Sequence, residues 1–387
     1  MNSKQFETAK MCLKVVTPIN ISDGIVLGAK DYLYDSRRQK VFFLNLHQWH
    51  MFIYKHMLLE KYESYLANFR DKQSLLEWLR MQGYDIDDVR TVITSEAQAT
   101  VNLMDNEKKK TLNDINRHIQ QPDGSLYVPG SSIKGVFRTA ILYSLLQKRQ
   151  DIKVKYWRQI QEKISSNYFK PYRDFNKLIS DLENELLHTL RLVDGDIHSN
   201  NAVYSAMRGL QVSDTYASRN MQTAILQKVD GGFDKFGKAS PKKLPIFREC
   251  MLPEAELFFD VKIEKAVMST IGINSIDDLL KATHSFFAAV TDLLQQAFEK
   301  EYQEAFQGVA AGNMFLGGNT GFLSKTLLAM LAPDKDTAKN TIKVLLDKSF
   351  KNHKHLLRDK VIAPRTLKCT NYNGKLMLMG VAEVRKV

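Results

Sequence analysis

Residues that could hold an anion are concentrated in the segment 127–146, YVPGSSIKGVFRTAILYSLL. A Pro-Gly pair breaks a strand-like stretch, and Ser131 or Ser132 can cap the helix that follows by accepting a backbone hydrogen bond. The first backbone N–H groups of a helix bind anions together with the positive end of its dipole, and Gly135 allows a close approach. We therefore predict a phosphate-binding element at the start of this helix.

Two cations accompany this element. Lys134 and Arg138 are four residues apart, so they share one face of the predicted helix. Apolar residues at helical spacing predict that another face of this helix packs in the core. They are Ile133, Val136, Phe137, Ala140, Ile141, Leu145 and Leu146. The predicted phosphate contact is thus attached to a packed helix.

A second glycine-rich segment occupies residues 315–328, FLGGNTGFLSKTLL. Three glycines permit backbone angles that other residues avoid: Gly317, Gly318 and Gly321. Lys325 stands where an apolar helix is predicted to begin. A nucleotide-binding P-loop would need glycines at the positions of Asn319 and Ser324, so the spacing argues against a nucleoside triphosphatase.

Both segments suit single-stranded RNA, which is held by cations on its phosphates and by aromatic rings on its bases. The phosphate candidates are Lys134, Arg138, Lys325, Arg365 and Lys368. The nearby rings are Tyr127, Phe137, Phe315 and Phe322, although rings at helical spacing more often belong to a core. A further basic run at 343–360 is typical of a solvated helical face.

The chain has 387 residues, with 55 Lys and Arg against 43 Asp and Glu, and a formal net charge of +12. This excess favours an acidic polymer as partner, nucleic acid first, although basic surfaces also occur without such a partner. No stretch approaches the roughly 18 apolar residues of a membrane span, and the N-terminal segment lacks the apolar region of a signal peptide. We expect a soluble, cytoplasmic protein with no membrane contact.

Alternating strand and helix patterns predict an α+β protein with two related halves. Residues 1–200 show short strands, helical periodicity at 50–66 and 74–81, and a charged helical insert after residue 151. Residues 201–387 repeat the strand pattern and end in a helical extension. We predict a domain boundary near residue 200, and duplication is a hypothesis about the pattern because no residue-level repeat is present.

The polar stretch 102–121, with three consecutive lysines, is expected to be an exposed projection. An ordinary solvated loop explains it equally well.

The local sequence identifies no catalytic residue, cofactor or metal site. The histidines near residue 50 lack a third ligand at metal-binding spacing, and the Asp-Gly-Asp at 194–196 lacks the rest of a calcium loop. The three cysteines are far apart, as reduced structural thiols are: Cys12, Cys250 and Cys369. A general-base histidine stays open as an alternative, with His47, His118 and His198 as candidates.

Six segments in order resemble a known family. They are TPINISDGIVLG at 17–28, PGSSIKGVFRTAIL at 129–142, RGLQVSD at 208–214, LPIFRECMLP at 244–253, LGGNTGFLSKTLL at 316–328 and APRTLK at 363–368. Together they are similar to the fifth Csm subunit of type III-A CRISPR effector complexes, which belongs to the RAMP superfamily of repeat-associated RNA-binding proteins. The resemblance covers most of the chain.

The resemblance implies two ferredoxin-like (RRM-like) domains, with inserted helices and glycine-rich loops that hold RNA. It also implies a non-catalytic subunit that caps the complex at the 3′ portion of the guide RNA, beside the repeated backbone subunit. There the subunit would support guide maturation, assembly and target RNA binding in antiviral defence. RNA contact carries over only to matching positions: Ser131, Ser132, Lys134, Gly135, Arg138, Gly317, Gly318, Gly321 and Lys325.

Two alternatives stay open beside this RNA-binding subunit. The first is a metal-independent endoribonuclease of the RAMP type that processes repeat RNA with a general-base histidine. The second is a cap that binds only proteins, through acidic patches of its partners.

Overall fold

A computed structural model describes residues 5–68, 73–100, 112, 114–166, 168–190, 201–217 and 221–387. These residues form fifteen strands in two sheets, together with eleven α-helices and several short 3₁₀ helices. The predicted α+β class is confirmed.

The strands, in chain order, are β1 Phe6–Val15, β2 Ser22–Leu27, β3 Tyr32–Asp35, β4 Lys40–Leu44, β5 Ile93–Thr100, β6 Ile115–His118, β7 Leu210–Val212, β8 Tyr216–Ala217, β9 Thr223–Gly231, β10 Lys242–Met251, β11 Glu256–Glu264, β12 Met314–Phe315, β13 Leu367–Tyr372, β14 Lys375–Leu378 and β15 Val381–Lys386.

The α-helices are α1 Leu46–Lys55, α2 Leu59–Ala67, α3 Leu75–Met81, α4 Gly130–Lys148, α5 Gln150–Ser165, α6 Pro171–Leu187, α7 Lys265–Met268, α8 Ile276–Tyr302, α9 Leu328–Leu331, α10 Lys335–Ser349 and α11 His355–Arg358. The 3₁₀ helices are Ile86–Val92, Ala202–Tyr204, Ala206–Gly209, Ser269–Ile271, Gln303–Phe306, Val309–Ala311, Leu323–Lys325 and Lys351–His353.

The first sheet has the strand order β12-β15-β1-β11-β7, with β8 also paired to β11, and all of its pairs are antiparallel. The chain passes through α4 between β1 and β7, and through α8 between β11 and β12. These two helices contact each other and share one large apolar core with the sheet. The apolar face predicted for α4 is part of that core.

The second sheet has the order β2-β6-β10-β9-β5-β4-β3, and β13 joins it by pairing with β9. Two of its pairs are parallel, β6 with β10 and β5 with β9. Each sheet therefore combines strands from both sides of residue 200, and a domain boundary there stays a prediction.

A separate small core lies under α1, α2 and α3, where Trp49, Tyr62 and Trp78 pack together. Helix α3 begins at a capping box, in which Ser74 and Glu77 exchange hydrogen bonds between side chain and backbone. The helical periodicity near residue 50 predicts these helices well, with one break between α1 and α2.

The expected projection at 102–121 is only partly described, since 102–111 and 113 lie outside the described residues. At its end the expectation is wrong, because Ile115–His118 forms β6 between β2 and β10. His118 is fully buried there and its backbone N–H donates to Glu249 Oε2 at 3.1 Å. A four-residue strand whose only buried side chains lie at its two ends is too short to show a period in the sequence.

Burial of His118 gives a pH prediction. Desolvation lowers the pKa of its imidazole to about 4 from an ordinary value of 6.5. Because the unfolded chain binds the proton more readily, the unfolding free energy falls as the pH drops from about 6.5 to about 4, by up to about 1.4 kcal/mol per pH unit. Chemical unfolding of the wild type and of His118→Gln across this range measures the effect.

Subtracting the two curves of unfolding free energy against pH isolates the contribution of His118, because the other titratable groups, Glu249 included, are present in both proteins. The stability advantage of the wild type over the variant should shrink toward acid pH. A difference that stays constant between neutral pH and pH 4.5 would contradict the buried, neutral imidazole.

The start of α4 gives a packing prediction. A Cβ added to Gly130 would lie 2.4 Å from the Val212 carbonyl oxygen and 2.6 Å from that of Ser213, whereas one added to Gly135 would meet no atom within 4 Å. Gly130→Ala should therefore lower the unfolding free energy by about 1–3 kcal/mol. Gly135→Ala, the control in the same helix, should raise it by up to about 1 kcal/mol. Urea unfolding of both variants is the measurement, and equal stability would rule out this close packing.

Candidate nucleic-acid interface

The two glycine-rich segments, nearly two hundred residues apart in sequence, line one cleft of about 330 Å³. Ser132 and Gly135 line it from α4, and Gly317, Gly318 and Lys325 line it from the loop that follows β12. The neighbouring walls come from α8 and from the start of β2. Five of the predicted site residues therefore share one surface.

The first turn of α4 already holds a carboxylate of the protein, and phosphate binding there stays a prediction. Pro129 precedes the helix, and no side chain caps it, so the expected role of Ser131 or Ser132 as a cap is wrong. The backbone N–H of Gly130 instead donates to Asp214 Oδ1 at 2.7 Å. A carboxylate from the segment after β7 thus already occupies this end of the helix dipole.

Three predicted residues of α4 do not line the cleft. The ammonium of Lys134 donates to the Leu210 carbonyl oxygen at 2.6 Å, and burial, followed by repulsion from Arg138, lowers its pKa. Arg138 lies 3.4 Å from Glu183 on α6. Ser131 is exposed beside them. Contact of these three residues with RNA stays a prediction.

The second loop depends on glycine at two points. Gly317 has φ +87°, and a Cβ there would lie 2.3 Å from the Asn20 carbonyl oxygen, which accepts the Gly318 N–H at 2.7 Å. Gly321 has φ +92° and lies against the Lys368 side chain. Left-handed angles of this kind favour glycine.

The prediction that a helix begins at Lys325 is wrong. One 3₁₀ turn, Leu323–Lys325, is followed by extended backbone at Thr326 with φ −139° and ψ 150°, and then by the four-residue α9. Lys325 therefore ends a 3₁₀ turn and does not begin a helix.

A row of cations crosses three adjacent strands beside this loop. In the strand register, Arg248 on β10 faces Leu226 on β9, Lys228 lies two residues further along β9, and Lys368 on β13 faces Asp230. Residues two apart on a strand share a face, so all of these side chains lie on one side of the sheet. Asp230 lies 2.9 Å from Lys368 and 3.7 Å from Lys228.

Within the described part of the chain, Asp230 is the one acid paired with this row. Arg248 has no carboxylate partner there; its Nη1 donates to Asn20 Oδ1 at 2.9 Å, while its buried Nε donates to no group. Lys325 is exposed to solvent but lines the concave cleft. Desolvation there lowers the pKa of its ammonium, and repulsion from Arg248 lowers it further. Burial and repulsion from Lys368 act in the same way on the pKa of Lys228.

Lys228 and Arg248 were missed by sequence reasoning. Arg248 lies inside one of the segments that resemble the family, LPIFRECMLP, directly after four apolar residues. A cation at that position was the available signal. Lys228 becomes significant only through its pairing with β13.

The remaining predicted cation, Arg365, has a protein partner. Arg365 donates to Asp359 Oδ1 at 2.7 Å, and the same buried carboxylate lies 2.8 Å from His355 Nδ1, so Arg365 helps to neutralise a buried acid. Among the predicted rings, Phe137 belongs wholly to the core, whereas Phe315 borders the cleft.

The histidines differ in access. His47 is exposed at the start of α1, His118 is fully buried, and His198 lies outside the described residues. Throughout the chain segments that the structure covers, no three His, Cys, Asp or Glu side chains are grouped so as to hold a metal ion. Cys12, Cys250 and Cys369 are buried free thiols, as predicted.

Among the helices of the described residues, none has the length and apolarity needed to cross a membrane.

Known proteins resemble this chain along nearly its whole length. A protein named CRISPR system Cms protein Csm5 from Mycobacterium tuberculosis (strain CDC 1551 / Oshkosh) is 26% identical, with 98% of this chain and 97% of the relative aligned. A protein of the same name from Enterococcus italicus is 23% identical over 88% of this chain and 85% of the relative. The predicted resemblance to the fifth Csm subunit is confirmed.

Two solved structures share the fold. One chain of a Csm-crRNA-target RNA ternary complex from a type III-A CRISPR-Cas system superposes with a TM-score of 0.68 at 18% identity, covering 98% of this chain and all of the other. The crystal structure of T. onnurineus Csm5 superposes with a TM-score of 0.61 at 19% identity, covering 96% and 99%. Residues 12–322 match the family model described as RAMP superfamily, so this chain belongs to that superfamily.

Proposed function

We propose that this chain is an RNA-binding subunit of a type III-A Csm ribonucleoprotein, acting in the cytoplasm. In this role it caps the complex at the 3′ portion of the guide RNA, next to the repeated backbone subunit, and supports guide maturation, assembly and target RNA binding. Relatives named Csm5 and the likeness to a chain of a complex with crRNA and target RNA support the assignment.

The observation that carries the proposal is the unbalanced charge beside the second glycine-rich loop. The three cations of the row and Lys325 share one carboxylate, Asp230, so the four positive charges repel each other. The buried guanidinium Nε–H of Arg248, which has no partner among the described residues, also costs free energy. An RNA phosphate beside Arg248 and the exposed Lys325 would offset the repulsion between these two cations. We infer that the guide RNA backbone passes over this row of cations.

We also propose a ferredoxin-like unit in each half of the fold. For the first sheet, the chain runs strand, helix, strand, strand, helix, strand through β1, α4, β7, β11, α8 and β15, which is the connectivity of such a unit. The outer strands β15 and β7 flank the central pair β1 and β11. A second unit in the nine-stranded sheet rests on the family resemblance alone.

The proposed subunit is non-catalytic. Of the three histidines considered as a general base, His118 has no access to RNA, and the exposed His47 lies on α1, which does not line the cleft. An endoribonuclease therefore has less support than a binding subunit.

Neutralising the two cations that have no acid partner among the described residues tests the RNA contact. Arg248→Gln with Lys325→Gln should weaken binding to short single-stranded RNA by about tenfold or more. It should also reduce the slope of log K against log salt concentration by about 1.4, because each phosphate contact on a single strand contributes about 0.7. Fluorescence anisotropy across a salt series measures both quantities.

The matched control is Arg158→Gln with Lys300→Gln, which removes the same charge from the exposed faces of α5 and α8 away from the cleft. It should leave the affinity and slope nearly unchanged. If both double variants lose affinity equally, general charge holds the RNA and the proposed site is wrong.

Absence of turnover is tested separately. The purified chain, incubated with labelled repeat RNA in chelator or in Mg²⁺, should leave the RNA intact on a denaturing gel. Cleavage that is abolished by His47→Ala would instead establish the endoribonuclease. Cleavage that persists in this variant would point to contamination or to another residue, and His198→Ala separates these two cases.

A further inference from the structure

The cleft between α4 and the second glycine-rich loop has an apolar interior next to the row of cations. Phe286 and Phe287 of α8 contribute to its walls together with Phe315, and the Phe287 and Phe315 ring centroids are 4.8 Å apart. Its volume of about 330 Å³ falls within the range of small-molecule sites. Such an interior favours a flat apolar surface over a phosphate.

Hydroxyl groups line the edge of the same cleft. Ser132 Oγ has no hydrogen-bond partner among the residues described. Ser22 Oγ accepts the Gly24 N–H at 3.0 Å, which leaves its own O–H to donate. Thr139 donates to the Gly135 carbonyl oxygen at 3.2 Å, which leaves its lone pairs to accept. Both donors and acceptors are therefore available to a polar-edged ring.

Gly135 is the glycine of these two segments that protein packing does not explain. It lies inside α4, where glycine is less favourable than alanine. Its φ is ordinary, and a Cβ would meet no atom within 4 Å. By contrast, Gly130, Gly317 and Gly318 each have a protein atom within 3 Å of that position. The missing side chain at Gly135 keeps the cleft open on the α4 side.

The mouth of the cleft carries positive charge. Lys325 lines it, and Gly318 separates it from the Arg248 guanidinium, whose Nη1 lies 2.9 Å from the position of a Gly318 Cβ. A ligand with an anionic group and a flat ring would place the anion on these cations and the ring inside. A nucleotide of single-stranded RNA has this combination.

We infer that the cleft binds one unstacked nucleobase of the RNA strand, between the apolar wall of α8 and the open face of Gly135. The inference rests on the proposed RNA-binding function and adds a base-holding site to it. The RNA strand then makes two kinds of contact at this loop. Its phosphates contact Arg248 and Lys325, and one of its bases lies in the cleft.

Filling the cleft tests this inference. The full chain and Gly135→Leu are compared for binding to a short uridine oligomer and to an abasic oligomer with the same number of phosphates. The wild type should prefer the base-bearing strand by about 5- to 150-fold, as expected for one stacked base. Gly135→Leu should lose this preference and keep the salt slope, because the phosphate contacts are unchanged.

The matched control is Gln147→Leu, which adds a leucine to an exposed position of the same helix outside the cleft. It should behave as the wild type does. Photo-cross-linking of a 4-thiouridine oligomer gives an independent readout, with the adduct expected on the peptides that contain Phe286, Phe287 or Phe315 and absent in Gly135→Leu.

The outcomes separate the two proposals. If the wild type binds both oligomers equally with normal salt dependence, or if Gly135→Leu keeps the preference, the base site is wrong and the RNA-binding function stands. If the wild type binds neither oligomer, the proposed function itself fails.

Discussion

The candidate site depends on one buried asparagine between the two sheets. Asn20 follows β1 of the first sheet, precedes β2 of the second, and is fully buried. Its carbonyl oxygen accepts the Gly318 N–H, its Oδ1 accepts from Arg248, and its Nδ2 donates to the Glu249 carbonyl oxygen at 2.8 Å. Loop, cation and strand are therefore held by a single side chain and its backbone.

Burying an amide costs free energy unless its hydrogen bonds are made. The hydrogen bonds of Asn20 therefore fix the positions of the loop and of Arg248 relative to each other. The loop can approach only because Gly317 has no Cβ, and Arg248 points toward the loop because Asn20 Oδ1 holds its Nη1. Arg248, which has no acid partner among the described residues, is thus positioned in advance. Binding an anion there requires little reordering of Arg248, which favours affinity.

The two glycine-rich segments differ in their surroundings: one is closely packed against the protein and the other lies beside cations. The segment in α4 is mainly structural, since Gly130 packs on the chain after β7 and its N–H is satisfied by Asp214. The segment after β12 lies among the cations. Of the α4 residues predicted to contact RNA, Ser132 and Gly135 line the shared cleft and the others do not, so two similar sequence signatures serve different physical roles.

The sequence by itself determined the class of fold, most helices and the two glycine-rich segments, because apolar period and glycine content are local properties. The superfamily followed from the resemblance of six segments to a known family. Only the tertiary structure decided that Asp214 occupies the start of α4, that Ile115–His118 is a strand, and that Arg248 and Lys228 join Lys325 and Lys368. Each of these depends on strand pairing or on contacts between distant segments. Such contacts leave no period in the sequence, since the partners are chosen by packing of the whole chain.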